Sequence, residues 1–188
     1  EALGEHEAAI AVYERIARSF PDDAALIARA KALAGSAELR LGRSAAAKEL
    51  LIEADRLRPG QALVTYGLGV IAAEEGDAEA AIEWFAKARE ASPQWALPAV
   101  AEAELHVKAG DPAAAVALLR PYEAVASREP DFHLVLASAY ALLAGEAARG
   151  GLTSEEIEAL ELDAGDDLAS VLAALARHRI ERAGQLDP

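Results

Sequence analysis

The chain carries glycine and proline at a constant spacing, and this spacing constrains its fold more than any other feature. Gly42, Gly76 and Gly110 follow one another at intervals of 34 residues, and Pro59 and Pro93 are also 34 residues apart. A glycine permits a tight turn and a proline stops a helix, so each period contains the same turn and the same helix end. A constant period of this length is typical of arrays in which one small structural unit repeats.

One period shows what the repeating unit contains. Asp77, directly after Gly76, can accept hydrogen bonds from the first free amides of a helix. Small and aromatic residues then recur at helical spacing on one face, at Ala81, Phe85 and Ala88. The preceding period has small or apolar residues at the same three places, at Ala47, Leu51 and Ala54. This pattern predicts a short helix that buries the same face in each period.

Apolar periodicity, together with the glycine and proline positions, predicts two helices in each period. The predicted helices cover Glu5–Phe20, Leu26–Leu41, Ser44–Leu57, Ala62–Glu75, Asp77–Ala91, Ala96–Ala109, Asp111–Ser127, Phe132–Arg149 and Leu168–Ala183, with a short additional helix that follows a capping-box sequence at Thr153 and ends at Leu162. Pro121 is expected to kink the seventh of these helices or to shift its start.

The period of 34 residues, the two helices per period and the small and aromatic positions resemble the tetratricopeptide repeat. In the best copy, Leu68 and Gly69 match the Leu-Gly pair of the family's first helix. The second helix and its stop are matched by Ala81, Phe85, Ala88 and Pro93. Thr65 replaces the family's opening Trp and Ala72 replaces its Tyr. The resemblance extends from Gly4 to about Gly145.

The resemblance implies an all-α, right-handed superhelical solenoid of antiparallel helix pairs with a divergent C-terminal helical cap. We expect a single domain, with the second helix of a truncated repeat at residues 1–21, repeats at 26–59, 62–93 and 96–128, a divergent repeat at 131–162 and a capping helix at 166–184. The first helix lacks the partner helix of its own unit. We therefore expect either more protein upstream of this helix or self-association of the chain through this end.

The C-terminal helix has an apolar stripe at Leu168, Val171, Leu172, Leu175 and Ile180. The stripe predicts that this helix packs on the unit opened by Phe132–Arg149, since terminal repeats need a cover with a polar outer face. The alternative is that the helix turns back into a groove of the solenoid in which a ligand would bind, and competes with that ligand.

The charge balance excludes some classes of partner. The formal net charge is −14, from 32 acidic and 18 basic side chains. Such a surface repels nucleic-acid phosphates and anionic lipid head groups, so we expect neither as a partner. The acidic residues either act only to keep the protein in solution or attract a basic protein partner. The nearly uncharged run Phe132–Gly145 is too short for the roughly 20 residues that span a bilayer, and we predict no membrane insertion.

Residues that could carry chemistry are scattered. The four histidines, His6, His106, His133 and His178, do not pair at metal-ligand spacing. The acidic turn Asp163–Asp167 lacks the distal Glu of a calcium loop, and no phosphate-binding loop or nucleophile elbow is present. The chain has no Cys, which excludes disulfides and leaves the compartment open. We therefore predict no enzyme activity, no cofactor and no metal site.

In the family, the inner faces of the first helices line a groove that binds peptides. The resemblance places the groove at Leu63, Tyr66, Val70 and Glu74 and, one repeat later, at Leu97, Val100 and Glu104. The family's clamp for acidic peptide tails needs cations on these faces. Only Arg29 and Lys108 could contribute, and they are opposed by Glu74, Glu104 and Asp131.

The apolar and acidic residues of the expected groove predict a scaffold or adaptor that binds a peptide or helix carrying apolar and basic residues. The alternative is a regulatory or assembly arm of a larger enzyme, or of a secretion or envelope machine, in which the groove contacts a neighbouring domain.

Overall fold

The computed structural model describes residues 2–152 and 168–186, and within these residues the regular secondary structure is entirely helical. The helices are α1 (Ala2–Ser19), α2 (Ala24–Arg40), α3 (Ser44–Leu57), α4 (Ala62–Glu74), α5 (Ala78–Ala91), α6 (Leu97–Ala109), α7 (Pro112–Leu119), α8 (Pro130–Ala148) and α9 (Leu168–Leu186), and a 3₁₀ turn at Arg120–Tyr122 follows α7. The prediction of an all-α chain built from helix pairs is confirmed. The chain divides into an N-terminal unit, Glu1–Pro93, and a C-terminal unit, Gln94–Pro188.

The periodic glycines form the turns between paired helices. Gly42, Gly76 and Gly110 have φ angles of 71°, 83° and 80°, in the left-handed region that favours glycine. The predicted cap at Asp77 is confirmed, because its Oδ1 accepts a hydrogen bond from the amide of Ala80 at 3.0 Å. Local residue chemistry thus sets where one helix ends and the next begins.

In the N-terminal unit, α2 packs on both α1 and α3, and α4 packs on both α3 and α5. The helices approach closely because glycine faces large side chains. A Cβ on Gly35 would lie 2.8 Å from Cγ of Leu51, and a Cβ on Gly67 would lie 2.6 Å from Cδ1 of the same leucine. Leu51 is fully buried and joins α3 to α2 and α4. This packing explains why α2 and α4 carry glycine where they face Leu51.

Helix α1 lies at the outer end of the N-terminal unit and packs on α2. Among the described side chains of α1, Ile10 is buried, while Tyr13 and Ile16 are half-buried. Val12 and Phe20 are 41% and 54% exposed. The apolar stripe predicted for this helix is therefore only partly covered.

In the C-terminal unit, Pro121 shortens the second helix of its repeat. We expected a helix over Asp111–Ser127 with a kink or a shifted start. The α-helix instead ends at Leu119, and the chain continues as the 3₁₀ turn Arg120–Tyr122. A proline has no amide hydrogen to donate, so it ends the regular hydrogen-bond pattern. The turn brings the ring of Tyr122 into the core of this unit.

Helix α9 packs along α8, as predicted for a C-terminal cap. Leu172, Ala176 and Ala183 are buried, whereas Val171 and Ile180 are exposed, so only one side of the predicted stripe is covered. Arg179, late in α9, contacts His133, early in α8, and the two helices are therefore antiparallel. The predicted short helix that ends at Leu162 and the acidic turn Asp163–Asp167 lie outside the described residues.

Candidate protein-binding surface

The residues predicted to line the groove lie on two helices, α4 in the N-terminal unit and α6 in the C-terminal unit. On α4, Leu63, Tyr66 and Val70 are half-buried, and Glu74 is exposed. The Tyr66 ring is held by Phe85, with ring centroids 5.7 Å apart and an interplanar angle of 40°. Glu74 accepts a hydrogen bond from Ser44 Oγ. This face of α4 therefore combines half-buried apolar side chains and a fixed aromatic ring with an exposed carboxylate.

On α6, the three predicted residues have different environments. Leu97 is 40% exposed, but Val100 is only 6% exposed and belongs to the core of the C-terminal unit. Glu104 is exposed and forms an ion pair with Lys108 at 2.7 Å. This ion pair partly neutralises Lys108, which is one of the two cations that could bind an acidic ligand. Leu97 is thus the accessible apolar side chain on this face of α6.

A cavity of about 230 Å³ lies in the C-terminal unit, beside Leu97. The connection before α6, the start of α6, the segment after the 3₁₀ turn and the start of α8 surround it. Apolar and polar groups both line it, and the lining consists of Gln94, Trp95, Ala96, Leu97, Val100, Val125, Glu129, Asp131 and Phe132. Phe132 is fully buried, whereas Val125 is 50% exposed. The cavity is therefore open at an apolar rim, with two carboxylates nearby.

Of the residues that line this cavity, the sequence analysis named Leu97, Val100 and Asp131, but it did not connect them with Trp95, Val125, Glu129 and Phe132. Trp95 stands in the connection after Pro93, outside the periodic helix positions on which the prediction depended. A signal was available, because Trp95 is one of only two tryptophans in the chain and lies in a connecting segment. Val125 and Glu129 precede α8, and only the fold brings them next to α6.

The described residues offer no metal centre, since no group of three or more His, Asp or Glu side chains among them is arranged to hold an ion. His133 is buried, and its Nε2 donates to the carbonyl oxygen of Ser127 at 3.1 Å. Its Nδ1 accepts from Arg179 Nη1 at 3.4 Å. The ring thus joins α8 to α9 and to the segment before α8. None of the helices in the described ranges combines the length and apolar character needed to cross a bilayer.

The helix hairpins that repeat along this chain define an α-helical repeat protein. Residues 32–94 match the family model for the tetratricopeptide repeat. Beginning within α2, the match covers two successive helix pairs, α2 with α3 and α4 with α5, so this part of the chain is similar to the tetratricopeptide repeat.

Solved structures have the same fold. Two crystal structures of MamA are 15% and 16% identical to this chain, with TM-scores of 0.63 and 0.66. The first alignment covers 98% of this chain and 88% of MamA, and the second covers 97% and 92%. YrrB, described as a TPR protein with an unusual peptide-binding site, is 17% identical with a TM-score of 0.57, over 95% of this chain and 84% of YrrB. No curated protein matches the chain in sequence.

Proposed function

We propose that this chain is a non-catalytic scaffold or adaptor that binds a peptide or helix of a partner protein. The observation that supports the proposal is the cavity beside Leu97, which combines apolar side chains with carboxylates and includes two residues of the face predicted from the repeat register, Leu97 and Val100. Apolar cavities with a few polar groups at the edge are the usual form of a binding site. YrrB, a protein of the same fold, is described as having a peptide-binding site.

The chemistry of the cavity indicates what the ligand carries. Trp95, Leu97 and Phe132 provide aromatic and aliphatic contacts, which favour an apolar anchor side chain. Glu129 and Asp131 place two carboxylates at the same cavity. A Lys or Arg next to the anchor would complement these carboxylates and the net charge of −14. The ligand is therefore an apolar segment with adjacent basic residues.

The proposal is tested by selecting short peptides from a displayed random library against the full chain. We expect the retained peptides to carry an apolar residue beside Lys or Arg. Leu97→Asp should weaken binding of such a peptide by at least about tenfold, because it places a charge in an apolar contact. Val171→Asp is the matched control, since Val171 is 39% exposed and lies on α9, away from the cavity lining.

The charge component is tested separately with Asp131→Lys. Reversing this charge should lower the association rate of a basic peptide and reduce its dependence on salt. Helix content measured by circular dichroism should stay unchanged, because Asp131 is exposed. Peptides that bind the wild-type chain and the Leu97→Asp variant equally would contradict the cavity as the binding site.

A further inference from the structure

The N-terminal unit contains a cleft that has no role in the proposed function. Helices α3 and α5 both pack on α4 but make little contact with each other. The space between them, here called the α3–α5 cleft, has a volume of about 430 Å³. It is lined by Lys48, Ile52, Asp55, Leu68, Ile71, Ala72, Glu75, Asp77, Ala80 and Trp84.

The α3–α5 cleft is apolar at its base and on both walls. Leu68, Ile71 and Ala72 of α4 form the base, and each is at most 7% exposed. Ile52 on α3 is 52% exposed, and Trp84 on α5 is half-buried. A large exposed aliphatic side chain beside a tryptophan is typical of an interaction site, because aromatic residues contribute most to binding energy at such sites.

Trp84 is held in place on α5. Lys87 Nζ lies 4.4 Å from the centroid of its ring, at the distance of a cation–π contact. Trp84 also contacts the core cluster of the N-terminal unit. The ring is therefore largely ordered before a ligand arrives, which lowers the entropic cost of binding.

The rim of the cleft carries more negative than positive charge. Three carboxylates, those of Asp55, Glu75 and Asp77, face one ammonium group, that of Lys48, for a rim charge of −2. Lys48 Nζ donates to both oxygens of Glu75, at 2.7 and 2.8 Å, so these two charges pair with each other. The remaining negative charge comes from Asp55 and Asp77, whose Oδ1 atoms accept from the amides of Gly60 and Ala80. A ligand with a positive charge would complement this rim, whereas an acidic ligand would be repelled.

We propose that the α3–α5 cleft is a second docking site, which binds an apolar segment of a partner protein that carries Lys or Arg beside its apolar residues. A second copy of this chain is a poorer occupant because both copies carry a net charge of −14. The cleft contacts Leu68 and Ile71, which lie on a different side of α4 from Tyr66 and Val70. It also lies in the N-terminal unit, so it is separate from the cavity beside Leu97.

The experiment selects short peptides from a displayed random library that bind the full wild-type chain but not its Ile52→Lys variant. Ile52 is exposed, so the substitution should leave the fold intact while adding a positive charge and removing an apolar contact. We expect the selected peptides to be apolar and basic. Their affinity should fall by at least about tenfold with Ile52→Lys. Val12→Lys is the matched control, since Val12 is a comparably exposed aliphatic residue of the same unit.

The Leu97→Asp variant separates this site from the cavity of the proposed function. Peptides that depend on Ile52 should bind Leu97→Asp as tightly as the wild-type chain. Loss of binding with Leu97→Asp, selection of acidic peptides, or no peptide that discriminates against Ile52→Lys would overturn the second docking site. Light scattering that reveals a dimer abolished by Ile52→Lys would overturn it as well, because a second copy would then occupy the cleft.

Discussion

The ring of Phe85 lies directly against the backbone of Gly69, and a Cβ added at residue 69 would stand 2.6 Å from Cε1 of that ring. Phe85 is 1% exposed, and it also contacts Tyr66, with ring centroids 5.7 Å apart. The absence of a side chain at one residue of α4 thus allows an aromatic residue of α5 to fill the space between the helices. The same ring positions Tyr66, one of the residues predicted to bind ligand.

We predict that Gly69→Ala destabilises the N-terminal unit by about 1–3 kcal/mol, because the added methyl group forces the Phe85 ring to move within a packed core. Chemical denaturation monitored by circular dichroism measures the change. Gly4→Ala is the control, since a Cβ at Gly4 would meet no atom within 4 Å. That control should leave stability unchanged or raise it by about 0.5–1 kcal/mol, because alanine favours helix. Equal stability of Gly69→Ala and wild type would contradict the packing of Gly69 against Phe85.

The packing of α9 on α8 is tested by two neighbouring residues. Leu172→Asp should reduce stability by at least about 3 kcal/mol, because Leu172 is fully buried and the substitution places a charge in the core. Val171→Asp should change stability by no more than about 0.5 kcal/mol, since Val171 is 39% exposed. Thermal unfolding measures both variants, and aggregation is expected only for Leu172→Asp. Similar melting temperatures for the two variants would contradict the orientation of α9.

Arg179 joins α9 to the rest of the C-terminal unit through an ion pair with Glu123 and a hydrogen bond to His133. Arg179→Met should lower stability by about 1–3 kcal/mol, because it leaves a buried histidine nitrogen without its donor. Arg177→Met is the control in the same helix, as Arg177 is exposed. Urea unfolding provides the comparison. If Arg179→Met were as stable as Arg177→Met, the contact with His133 would contribute nothing to holding α9.

Tyr140 gives the C-terminal unit a dependence on alkaline pH. Burial raises the pKa of Tyr140 above its ordinary value. Because the folded state disfavours the phenolate, the contribution of Tyr140 to stability is complete below about pH 10 and declines as the pH rises through the pKa of the folded state. Unfolding curves between neutral and alkaline pH should therefore show a smaller alkaline loss of stability for Tyr140→Phe than for wild type. Identical pH profiles would contradict this assignment.

The helix order, the turns and most helix ends follow from the sequence alone, because they depend on chemistry within a few residues. Gly76 adopts a positive φ, Asp77 caps α5, and prolines mark where helices stop. The 34-residue period then predicts hairpins whose partners are close in the chain, and the structure contains them. Pro121 is the instructive exception, since the sequence indicated a disturbed helix but not the 3₁₀ turn that buries Tyr122.

The tertiary structure alone decided which of the periodic residues are accessible. Leu97 and Val100 share a predicted face, yet one is 40% exposed and the other 6%, because Val100 is covered by the core of the C-terminal unit. The cavity beside Leu97 unites Trp95 with Val125 and Phe132, which lie 30 and 37 residues further along the chain. Helical periodicity assigns a residue to a face, but its exposure depends on the non-periodic segments that pack over that face. These contacts between distant segments follow from how the helices pack, and a single repeat does not encode them.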